Sequence, residues 1–118
     1  MKENILKSKS FEFAIRIVNL NKYLVKQEKE YVLSKQILRS GTSVGAMIRE
    51  AEYGQSKLDF IHKLAIAQKE INETIYWLEL LNAMDYLKLE AFNSLNIYAV
   101  EILKLITSSI KTTKANLK

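Results

Sequence analysis

The sequence has no cysteine, no proline, three glycines and one histidine in 118 residues. Without cysteine there is no disulfide framework, no thiolate zinc site and no cysteine nucleophile. That composition fits a reducing compartment, and a cytoplasmic location is the expectation. The lone histidine, His62, leaves nothing from which to build Ser–His–Asp chemistry. Asp59-x-x-His62 faintly resembles half of a di-iron ligand set, but the second pair and the inward glutamates are missing. No enzymatic activity, metal or cofactor is expected. No segment approaches the roughly 20 apolar residues of a membrane span, and the opening "MKENILKSKSFEF" holds no apolar run of signal-peptide length. A soluble protein with no membrane partner is expected.

What is present favours helices: abundant Leu, Ile, Ala, Lys and Glu with the helix breakers removed. Phe13, Ile17, Leu20 and Leu24 recur at helical spacing and predict a first helix over about 10–27, with Phe11, Ala14, Ile15 and Val18 widening its apolar face. A second helix is predicted over about 32–53 on Leu33, Ile37, Ser40, Val44, Ile48 and Ala51. Gly54 then stands where a helix end favours a left-handed residue. Ser56 with Asp59 three residues on reads as a capping-box variant that opens a third helix over about 57–82. Its seam is Phe60, Leu64, Ala67, Ile71, Thr74, Leu78 and Leu81. A fourth helix over about 88–112 carries Leu95, Ala99, Ile102 and Ile106, flanked by Ala91, Tyr98 and Leu105, and residues 113–118 read as a frayed tail. The expected fold is all-α: one domain over 1–118, an up-down-up-down antiparallel four-helix bundle.

Two glycines, Gly41 and Gly45, fall in "SGTSVGA". That run lacks the lysine and the preceding strand of a phosphate-binding loop. In helical phase they lie four apart on one face, each costing roughly 1 kcal/mol against alanine. Close packing, within the bundle or between subunits, is the reading that offsets this cost. On the third helix, Ile66, Tyr76, Trp77 and Leu80 point away from the seam among charged residues, a pattern that predicts an oligomer interface. The acids Glu50, Glu52, Glu70, Glu73 and Glu79 read as salt-bridge partners, Glu70 with Lys69 or Lys63.

Net charge is +5, concentrated toward the chain ends: residues 1–30 hold seven Lys/Arg against four acids, whereas 55–87 hold three against five. A basic balance allows polyanion binding. The aromatics among the basic residues of the first helix, Phe11, Phe13 and Tyr23, fall mostly on its apolar face and read as core rather than as stacking platforms.

The block from Arg39 to Leu81 carries R-S-x-x-S-[IV] at Arg39, Ser40, Ser43 and Val44. I-x-E-[AG] follows at Ile48, Glu50 and Ala51, and "DFIHKLAIAQKEINETIYWLELL" spans Asp59 to Leu81. This resembles the bacterial four-helix-bundle proteins encoded within intervening sequences of 23S ribosomal RNA genes, which are similar to the accessory variability proteins of diversity-generating retroelements. Met47 departs from the pattern, because relatives commonly carry Asn there. The resemblance implies a homo-oligomeric ring, typically a pentamer, with basic surface suited to RNA or DNA and no established catalytic residues. Arg39, Arg49, Lys63 and Lys69 are the matching basic positions for nucleic acid. The expected function is a non-enzymatic, self-assembling, nucleic-acid-binding bundle. The alternative is an adaptor or scaffold that binds a protein partner and uses its charge for solubility.

Overall fold

A computed structural model describes residues 2–117 of the chain, with side chains from Ile5 onward. Four helices follow one another: α1 (Lys2–Lys26), α2 (Leu33–Glu52), α3 (Lys57–Ala83) and α4 (Leu89–Ala115). Each packs on its sequence neighbour, and α4 closes on α1, so the bundle is all-α and up-down-up-down. The molecule measures 51 × 21 × 19 Å, its long axis set by the lengths of α3 and α4. No helix among the described residues is long and apolar enough to cross a membrane.

The core is the one the heptad-like spacing predicts. Phe13, Ile17 and Leu24 from α1 meet Ile37 and Val44 from α2, Leu64, Ile71 and Leu78 from α3, and Ile102 and Ile106 from α4, all essentially inaccessible to solvent. Within it Ser40 and Thr74 form a buried polar pair, their hydroxyls 2.8 Å apart, and the Thr74 hydroxyl also lies 2.8 Å from the Glu70 carbonyl. Their polar atoms are therefore satisfied where burial would otherwise cost them about 1–3 kcal/mol each.

Several boundaries differ from the periodicity reading. The first helix begins eight residues earlier than position 10, because Leu6 and Ser10 continue its buried stripe through a lysine-rich segment that masks the period. At the far end α4 stays helical through Ala115, where a frayed tail from 113 is expected; the Lys57 amine reaches the Asn116 carbonyl at 2.9 Å, and Lys118 lies outside the described residues. Phe11 and Ile15, read as a widening of the apolar face, keep about half their surface exposed (53% and 48%). Tyr23 is 39% exposed, so of the α1 aromatics read as core only Phe13 is buried.

Turn chemistry also shifts. Ser56 caps α3, accepting from the Asp59 N–H at 3.1 Å, but the reciprocal carboxylate of Asp59 accepts from Gln55 N–H (3.2 Å) rather than from the cap residue itself. No glycine in the chain has a positive φ, so Gly54 is not the left-handed residue expected there. Its requirement is steric: a Cβ on Gly54 would sit 3.1 Å from the Ala51 carbonyl and 3.2 Å from the Asp59 carboxylate. The left-handed positions are instead Lys29 (φ 56°) in the α1–α2 connection and Asp85 (φ 66°) in the α3–α4 connection.

Candidate functional site

On α3 the positions 59, 63, 66, 70, 73 and 77 advance by steps of four and three, which places them on one stripe. Ion pairs fix where that stripe faces. Lys63 Nζ reaches Glu50 of α2 at 3.0 Å, and the Arg39 guanidinium of α2 spans Glu70 (3.3 Å) and Glu73. The stripe therefore borders α2, and Glu70 pairs across helices with Arg39, not with Lys69 or Lys63 as its sequence neighbours suggested. The Lys63 amine is held above its ordinary range, chiefly by its hydrogen bond and charge interaction with Glu50.

Ile66 and Trp77 belong to this same stripe. Trp77 is half-buried against the core, its indole N–H donating to Glu73 at 2.9 Å while its ring meets Tyr76 edge-on at 5.0 Å. Ile66 and Leu80 are also half-buried, and of the four residues only Tyr76 keeps more than half its surface, 55%. Met47 lies half-buried against the core. Two of the basic positions, Arg39 and Lys63, thus share the α2–α3 face with Ile66 and Trp77, and Glu73 joins the two sets by accepting from both Arg39 and Trp77.

The four basic positions do not form one open patch. Arg39 and Lys63 are committed to carboxylates of their own chain. Arg49 stacks over Phe11 on the α1 side, its guanidinium carbon 5.3 Å from the ring centre. Lys69 is exposed and has no ion pair among the described residues. Cations with the same freedom crowd the α1–α2 hairpin instead: Lys22, Lys26, Lys29 and Lys35 are all exposed and unpaired with any acid among the described residues. One hairpin acid, Glu30, is buried and turned inward to cap α2, and another, Glu28, accepts from the Tyr23 hydroxyl. The alternation of Lys and Glu in "KQEKE" hid this separation, because sequence alone does not say which charges turn inward.

A second cluster, which no spacing in the sequence marks, joins α1 to α4. Tyr98 of α4 is clasped by α1: its hydroxyl bonds Glu12, the Lys9 amine lies 4.6 Å from its ring centre, Arg16 5.9 Å, and the Phe13 ring 6.2 Å. Burial first, then the Glu12 carboxylate, pushes the Tyr98 phenol up to about 12. His62 is exposed, and the described residues hold no grouping of three His, Cys, Asp or Glu able to share a metal.

Residues 2–108 match the sequence profile of the family described as 23S rRNA-intervening sequence protein. A crystal structure described as a protein with unknown function from the S23 ribosomal protein family of Bacteroides thetaiotaomicron is 61% identical. It covers 94% of this chain and 99% of its own, with a TM-score of 0.93. No curated protein matches the chain.

Proposed function

The chain belongs to the 23S rRNA-intervening sequence protein family, and from that premise we propose a non-enzymatic, self-associating bundle that binds structured RNA or DNA through its exposed lysines. The observation that carries this reading is the α1–α2 hairpin: four exposed lysines with no ion pair to an acid among the described residues, in a protein of net charge +5. Unpaired surface cations displace condensed counterions from a phosphate backbone, whereas paired ones must first give up their carboxylates. Self-association would multiply each hairpin by the subunit number and strengthen its field.

Labelled RNA hairpin or duplex DNA should bind at low salt, with log K falling linearly in log salt by ~0.9 for each duplex phosphate contacted. Replacing Lys26, Lys29 and Lys35 together by Gln should lower that slope by up to about 3. Arg39→Gln and Lys63→Gln should leave it nearly unchanged. A protein that leaves both nucleic acids unshifted at low salt overturns the proposal.

The competing reading, a scaffold for a protein partner, draws on Phe11, Ile15 and Tyr76, whose apolar surface is about half exposed. It is favoured if nucleic acid fails to bind.

A further inference from the structure

The α1–α4 seam is bridged at its middle by the Tyr98 clasp, and beside it opens a groove of about 450 Å³. Its floor is apolar, built by Leu20 of α1, Leu87 ahead of α4, and Ala91 and Leu95 of α4, while Arg16 and Lys88 supply two cations to its lining. No lining residue is acidic. Tyr23 also borders it, but directs its hydroxyl to Glu28 and so offers the groove its ring.

Arg16 is the unusual member. Four other cations of the helices meet carboxylates on a neighbouring helix: Lys7 with Glu52, Lys9 with Glu101, Arg39 with Glu70 and Glu73, Lys63 with Glu50. Arg16 is half-buried, yet its guanidinium donates to the neutral Ser94 hydroxyl at 2.8 Å and has no ion pair among the described residues. A guanidinium on a half-buried residue beside an apolar trough, bonded to a neutral hydroxyl rather than to a carboxylate, is available to an incoming anion in a way that an ion-paired one is not. Lys88, exposed at the same groove, adds a second positive charge.

We propose that this groove binds a small amphipathic carboxylate, its alkyl body along Leu20, Leu87 and Leu95 and its carboxylate at Arg16 and Lys88. The volume lies within the range of about 300–1,000 Å³ usual for small-molecule sites. An apolar trough selects an alkyl body over a free inorganic anion, and the paired cations select against amines and alcohols of equal length.

Calorimetric titration of the full chain with octanoate tests this. Saturable binding is expected, weaker by about tenfold for octanol and absent for octylammonium, since charge complementarity sets the discrimination. Arg16→Gln and Lys88→Gln should each weaken octanoate binding several-fold, and Lys88→Gln, at an exposed position, does so without touching the helix packing. Ala91→Trp, which fills the trough from an exposed position, should abolish binding while the thermal melt stays cooperative. The proposal is overturned if octanoate fails to saturate by about 10 mM, or if octylammonium binds as well. It is equally overturned if Ala91→Trp binds unchanged, or if that variant alters the sedimenting mass, which would mean a second copy of the chain occupies the groove.

Discussion

A Cβ placed on Gly41 lies 2.8 Å from two side-chain carbons of Ile17, whereas one placed on Gly45 has Ser10 as its nearest neighbour, at 3.4 Å. The two glycines share a face and a spacing, so the sequence assigned both to close packing. Only Gly41 is obliged to it by the fold, where Ile17 of α1 fills the space a Cβ would need. Gly41→Ala should therefore lose about 1 kcal/mol net, an overpacking cost of about 1–3 set against a helix gain of about 1. Gly45→Ala should gain up to about 1 kcal/mol, since the contact is ordinary and the unfolded chain loses freedom. Urea melts of both variants check this, and equal shifts of the same sign would refute the distinction. Met47 packs half-buried on the core.

At the scale of the element, α2 begins without a side-chain cap at Val32. Its free amides are met from outside the helix by Glu30, whose carboxylate accepts from Val32 (3.2 Å), Leu33 (3.0 Å) and Ser34 (2.7 Å). Burial pushes the Glu30 carboxyl up, but these backbone donors together outweigh it, and the group sits below its ordinary 4.5. A carboxyl depressed in the folded state stabilises the fold above its unfolded pKa, and that contribution is lost as pH falls through the folded value. Glu30→Gln should accordingly cost about 1 kcal/mol at pH 7, by loss of charge at the helix N-terminus and of an acceptor. Denaturant melts of wild type and variant should converge as pH falls through the folded-state value of Glu30, below the ordinary carboxyl range; a gap that persists in acid would exclude the Glu30 charge as its source. The α3 cap was legible, because Ser56 and Asp59 stand at capping-box spacing. The α2 cap was not, because its acceptor lies before the cap position and depends on Lys29 taking a left-handed turn that no local signal marks.

For the whole molecule, the four seams are unlike. Buried hydroxyls and interhelical ion pairs lock α2 on α3, while α1 and α4 meet around Tyr98 with a groove beside it. The proposed self-association belongs at the α2–α3 face, where Tyr76 is the exposed anchor and Ile66, Trp77 and Leu80 support it. Sedimentation velocity should give a mass above 13.6 kDa, and Tyr76→Glu should reduce it toward the monomer with the melt preserved. Trp77 is a poorer probe, since its indole also packs on the core and bonds Glu73. A wild-type protein that sediments as a concentration-independent monomer would remove self-association from the function.

The sequence by itself determined the helices, their order and the residues at the centre of the core, because apolar spacing near 3.6 is a local property that packing then uses directly. Only the tertiary structure decided which charges remain available. Arg39 and Lys63 look in sequence like Lys26 and Lys35, but antiparallel docking of α2 on α3 pairs the first two with carboxylates, whereas the others have no ion pair among the described residues. Pairing between positions 13 to 34 residues apart depends on helix rotation and register, which periodicity alone leaves open.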